Sequence, residues 1–111
     1  MSVDIDLYIT NERGREEIVY DKNITYNLST MAKEAGLYEA VFDPEDNMYS
    51  TASDIIEIVR LGVSDLINRP EHFKTFNPEN GWGSYDGFLG AMKELLEVCE
   101  EYPEAKIDVC R

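Results

Sequence analysis

The chain has 111 residues, 43% of them hydrophobic, which suffices for one core without metals or crosslinks. Its 23 acidic and 10 basic residues leave a net charge of −13, which repels nucleic acid and anionic lipid at long range and leaves basic surfaces as charged partners. No run approaches the roughly 18 apolar residues of a membrane span, and Met1-Ser2-Val3-Asp4-Ile5-Asp6 has neither the basic nor the apolar stretch of a signal peptide, so a cytoplasmic setting is expected.

Val3, Ile5, Leu7 and Ile9 alternate with Asp4, Asp6, Tyr8 and Thr10, the two-residue period of a strand with one buried face. Asn11-Glu12-Arg13-Gly14-Arg15 is a polar turn, and Glu17 to Tyr20 returns as the second arm of a hairpin. Thr25 or Asn27 caps a helix with Leu28, Met31, Ala32 and Ala35 on one stripe, fading between Gly36 and Phe42. Asp43-Pro44-Glu45-Asp46-Asn47 forms an acidic loop.

Ser53 opens the strongest helix, with Ile55, Val59, Gly62 and Leu66 on one line and Ile56, Val63 and Ile67 beside it, until Arg69-Pro70 ends it. Glu71 to Phe76 is a short helical turn. Ser84 or Gly83 caps a last helix whose apolar residues Phe88, Met92, Leu95, Cys99 and Tyr102 recur at helical spacing until Pro103. Ala105, Ile107 and Val109 alternate in a final strand. The sum is β-β-α-α-α-β in one domain over residues 1–111: an α+β fold with a small antiparallel sheet, the N-terminal hairpin plus the C-terminal strand, covered by about three helices. The two terminal strands are candidates to pair.

Cys99 and Cys110 are expected to be free. If a strand from Ala105 runs back along the helix, ~3.3 Å per strand residue against ~1.5 Å per helix residue puts Cys110 level with Ala91, too far from Cys99 to bond. The sequons at Asn23 and Asn27 matter only in a secreted chain.

Groups for catalysis are sparse. His72 is the single histidine, and with two distant cysteines it cannot complete a zinc site. Asp43, Glu45 and Asn47 have the alternate spacing of a calcium loop, but Met48 stands where such loops need glycine, so a solvated acidic loop is the reading. No nucleophile elbow or phosphate-cradling glycine pattern occurs. No catalytic residue, metal or cofactor is assigned, and binding is favoured over enzyme activity.

Binding leaves clearer marks. Phe76-Asn77-Pro78-Glu79-Asn80-Gly81-Trp82-Gly83-Ser84-Tyr85-Asp86-Gly87-Phe88 gathers the only tryptophan, two asparagines, a tyrosine and three glycines into one segment. Asn77, Asn80, Trp82 and Tyr85 join aromatic faces to amide donors and acceptors, the mix that grips a flat polar ligand such as a nucleotide. The plain alternative is turn asparagines, a helix cap and a core tryptophan. A second polar cluster holding Thr25 and Asn27 lies at the mouth of the first helix, where free N–H groups could receive an anion. Facing each other, the two segments would make one pocket from Thr25, Asn27, Asn77, Asn80, Trp82 and Tyr85.

Asn23-Ile24-Thr25-Tyr26-Asn27-Leu28 with Met31-Ala32-Lys33-Glu34-Ala35-Gly36, then Phe76-Asn77-Pro78-Glu79-Asn80-Gly81-Trp82-Gly83-Ser84-Tyr85, and Cys99 before Tyr102-Pro103-Glu104-Ala105, together resemble a family of small uncharacterised proteins of phages and bacteria. The resemblance spans most of the chain and implies that the two polar segments are its signature, with no activity attached. Where such relatives often carry Trp-Arg-Pro this chain has Phe42-Asp43-Pro44, so a basic contribution at that loop is lost.

Three binding functions follow as expectations. The first is a binder of a nucleotide-like small molecule, which in a phage would sequester a host defence signal. The second is an acidic inhibitor seated on a basic host protein through Glu94, Glu97 and Glu101 or Asp43, Glu45 and Asp46. The third is an adaptor or homo-oligomer subunit anchored by Trp82 and Tyr85.

Overall fold

The apolar stripe of the first strand organises everything packed around it. In the computed structural model, which describes all 111 residues, β1 (Ser2–Thr10) is the central strand of a three-stranded antiparallel sheet of order β2-β1-β3. Val3, Ile5 and Leu7 are fully buried against the helices. β2 (Glu16–Thr25) pairs on one side and β3 (Lys106–Cys110) on the other, so the terminal strands do pair.

Five helices cover the inner face: α1 (Ser29–Glu34), α2 (Tyr38–Phe42), α3 (Ala52–Asn68), α4 (Pro70–Lys74) and α5 (Tyr85–Glu101). α3 and α5 pack along each other and seal the core with Ile55, Val59, Leu66, Met92, Leu95 and Cys99. The α+β class and the strand-to-helix order are as read from the sequence. No helix is long and apolar enough to cross a membrane.

Several element boundaries differ from expectation, each for a local reason. β2 runs to Thr25, five residues past the expected end. Leu7 pairs with Tyr20 but Tyr8 with Ile18, so Val19 is an extra residue that breaks the alternation. This bulge turns Tyr20 inward and leaves Ile18 outside, 59% exposed. The single helix expected after Asn27 is two, because Gly36 adopts φ +75° between α1 and α2. α3 begins one residue before Ser53: Thr51 and Asp54 form a capping box around its start. Ile67, expected beside the core line, is half exposed.

The acidic loop is also not simply solvated. Arg111 donates to the Phe42 carbonyl at 2.6 Å and pairs with Asp43 and Glu45, so the C-terminal residue answers the loop's charge. Met48, at the position where a calcium loop would carry glycine, does adopt a left-handed φ of 61°. The guanidinium takes the role a cation would have. Both cysteines are free, and burial raises the Cys99 thiol to about 11, which keeps it inert.

The outer sheet face carries a conflict. The register sets Asp21, Asp6 and Asp108 side by side across three strands, and like charges directly opposite one another destabilise a sheet. One oxygen of Asp6, Oδ1, is buried without a partner. Burial, reinforced by neighbouring Asp21, Asp108 and Asp4, pushes the Asp6 carboxyl up to about 6. A carboxyl whose folded pKa is raised holds its proton in the native state at pH values where the unfolded chain has lost it. Its stabilising share is therefore complete below pH 4 and disappears as the pH rises through about 6. We expect Asp6→Asn to raise stability at pH 7.5 by on the order of 1 kcal/mol, a value discounted for solvent screening of this partly exposed row. At pH 4 variant and parent should match. Melting temperatures of both proteins across pH 4–8 check this, and parallel curves would disprove it.

Candidate functional site: the Trp82 cleft

Residues 77–84 carry no helix or strand, and a few specific hydrogen bonds tie the segment down. The Asn77 Oδ1 accepts from the Tyr85 N–H at 2.7 Å, and the Ser84 hydroxyl accepts from the Gly87 N–H at 3.1 Å, so two side chains cap the start of α5. The Asn80 Oδ1 accepts from the Trp82 N–H at 2.9 Å. From the opposite side Asn27 reaches the Asn80 Oδ1 and the Trp82 carbonyl, both at a long 3.5 Å. The Thr25 hydroxyl accepts from the Asn27 N–H at 3.2 Å and caps the 3-10 turn Tyr26–Leu28 that leads into α1.

Gly83 closes the junction. Its φ is +96°, and a Cβ there would lie 2.9 Å from Thr25 Cγ2 and 3.0 Å from Leu28 Cγ. Only a residue without a side chain lets the loop backbone rest on the end of β2. The two polar segments singled out in the sequence therefore do meet.

What they hold out is the indole. Trp82 is 72% exposed, while its N–H and carbonyl are both engaged, and the ring N–H has no protein partner. It stands at the rim of an open cleft of about 820 Å³. One wall is the end of β2, Lys22 to Thr25, with Leu28 below. The other is the first half of α5, where Gly87, Gly90, Ala91 and Glu94 recur at the three- and four-residue spacing of one helical face. A Cβ built on Gly90 meets nothing within 4 Å.

Of the six expected site residues, Thr25 and Trp82 line this cleft. Asn27, Asn80 and Asn77 shape it from behind: their carboxamides bind the loop, leaving little for a ligand. Tyr85 belongs to the core. It is 5% exposed, and its hydroxyl donates to the Leu66 carbonyl at 2.6 Å. The aromatic ring three residues before it faces solvent, because capping at Ser84 starts the helix between them and turns the two rings apart.

The cleft offers little positive charge to an anion. Lys22 is its one basic residue and already pairs with Glu94 at 3.2 Å, while Asp86 lies in the first turn of α5. The 3-10 turn at Thr25 precedes a helix of six residues, too short to offer much dipole. No group of three potential metal ligands is brought together. His72 is spent elsewhere, its Nε2 3.0 Å from Glu34 and its ring edge-on to Phe73 and Phe76. Asn23, Ile24 and Gly87 fall inside the segments singled out in the sequence and Glu94 was read as part of an acidic face, but Lys22, Gly90 and Ala91 were not singled out, although Gly87, Gly90, Ala91 and Glu94 on one helical face is a legible sign of a helix side left bare.

No protein-family model matches this chain, and comparison with curated proteins and with solved structures likewise finds no match.

Two mutational contrasts test the geometry. Trp82→Ala should change stability by no more than about 0.5 kcal/mol, as at other exposed positions, whereas Tyr85→Phe should cost about 1–2 kcal/mol by orphaning the Leu66 carbonyl. Urea denaturation of the three proteins checks the order, and a larger loss for Trp82→Ala would show the ring to be filler. Gly83→Ala should cost about 1–3 kcal/mol through its left-handed backbone and the collision with Thr25 and Leu28. Ala at Gly81, whose φ is +77° but whose surroundings are open, should suffer the backbone penalty alone.

Proposed function

We propose that the protein works by binding, holding a planar polar group against Trp82 at the mouth of the cleft. The observation that carries this reading is an exposed indole whose own backbone N–H and carbonyl are both tethered. A side chain left in water on a tethered loop retains its stacking face, and fixing the backbone beforehand reduces the ordering cost of capture. The cleft beside it is of the size that ligand sites have.

The charge around the cleft narrows the ligand class. Lys22 and Glu94 neutralise each other, which leaves Asp86 as the unmatched charge of the cleft, so a neutral or cationic group suits the site better than a nucleotide. A nucleoside or a guanidinium satisfies the same geometry. Sequestering an anionic signal nucleotide would require overcoming both the local carboxylates and the net charge of −13. The acidic-inhibitor alternative loses three of its anchors, since Arg111 answers Asp43 and Glu45 and Lys22 answers Glu94.

Because Trp82 is the only tryptophan, its fluorescence reports on the site without labelling. Titration with adenosine, guanosine and arginine amide should quench or shift the emission for at least one of them, with the corresponding mononucleotides weaker at low salt. Calorimetry should show the heat vanish in Trp82→Ala while its circular dichroism stays unchanged. Silence of all three probes at millimolar concentration would refute the proposal.

A further inference from the structure

The walls of the cleft carry a second feature that a free small molecule would leave unused. Four consecutive residues of β2, Lys22 to Thr25, line it. Successive residues of a strand point to opposite faces, so all four can border one cleft only if it runs along the strand's edge.

The ladder shows which backbone groups that edge presents. The Tyr26 N–H donates to the Met1 carbonyl at 3.1 Å, which makes Met1 and Tyr26 a hydrogen-bonded pair. Such pairs alternate in an antiparallel ladder. With the pairing Val3 to Ile24 and Ile5 to Lys22, Ile24 and Lys22 face β1, and Asn23 and Thr25 face away. The Asn23 N–H and carbonyl and the Thr25 N–H then look into the cleft, and none of the three is taken by a side chain.

The opposite edge of the sheet is treated differently. Along β3, the Ile107 N–H donates to the Ser50 carbonyl at 2.9 Å and Thr51 bridges Lys106, so the lead-in to α3 covers that side. At the other end of β2, Glu16, Glu17 and the bulge at Val19 blunt the edge. Only the stretch beside the cleft stays both regular and open, and there α5 turns Gly87, Gly90 and Ala91 toward it.

From this the geometry points to an extended segment of a partner protein as the occupant. The segment adds to β2 at Asn23 and Thr25 and places an arginine guanidinium on Trp82. This inference rests on the reading that Trp82 holds a planar polar group, and it names the source of that group. Backbone pairing supplies affinity that any sequence can use, and the side-chain sites supply choice. Charge complementarity selects a basic segment: Lys22 and Glu94 neutralise each other, which leaves Asp86 as the unmatched charge of the cleft, and a guanidinium stacks on an indole better than on any other ring. An acidic segment would meet repulsion locally and from the whole molecule.

The test uses the intact chain and three eight-residue peptides, read by Trp82 fluorescence and by amide shifts in 15N spectra. One alternates Thr and Arg, the second alternates Thr and Glu, and the third repeats the Thr-Arg sequence with alternate backbone nitrogens methylated. The Thr-Arg peptide should quench Trp82 and move the Asn23 and Thr25 amides. Methylation, which keeps every charge, should weaken it by roughly tenfold or more, the loss expected from removing backbone hydrogen bonds. The Thr-Glu peptide should not bind. Equal affinity of the methylated peptide would overturn edge pairing in favour of charge attraction alone. A response to adenosine or arginine amide without one to the Thr-Arg peptide would overturn this inference and leave the planar-group reading standing. Silence of every probe would remove both.

Discussion

The contact on which the rest of the site depends is between a glycine and the end of a strand. Gly83 lies so close to Thr25 and Leu28 that a single added carbon would collide with both. That approach joins two segments more than fifty residues apart; Asn27 bonds across the join, while Asn80 and Asn77 bond within the loop and at the start of α5. Individually these bonds are modest, and those from Asn27 are long. Acting on one short loop, they remove its freedom and leave Trp82 nowhere to fold back.

The same junction explains why the cleft exists. A loop seated on the end of β2 fixes where α5 begins, and the Ser84 and Asn77 caps fix its direction. The Tyr20 hydroxyl, donating to the Ala91 carbonyl at 2.8 Å, sets the distance between strand and helix further along. Between these two attachments the helix presents glycines and alanine, and the gap stays open. Wider side chains at Gly87 or Gly90 would fill it without disturbing the core, because the apolar face of α5 points elsewhere.

Charge plays two separate parts. On the outer sheet face the Asp21, Asp6 and Asp108 row works against the fold at neutral pH, and the raised Asp6 pKa expresses that tension. Such a row is tolerated because the apolar stripe behind it, Val3, Ile5 and Leu7, is completely buried. In the cleft, by contrast, the carboxylates cost little while exposed.

The periodic parts of the fold were legible in the sequence because burial repeats at fixed intervals: every second residue in β1 and β3, every third or fourth in α3 and α5. The β2 bulge and the closure of the acidic loop by Arg111 were not, since each depends on a partner distant in the chain. The site divides along the same line. Composition alone marked Trp82 and its flanking asparagines and glycines as a built segment, and residue type fixed what chemistry they could offer. Whether the ring faced solvent, that Tyr85 three residues along served the core, and that β2 supplied the opposite wall were decided only by packing, because exposure is a property of what lies nearby in space and local sequence does not encode it.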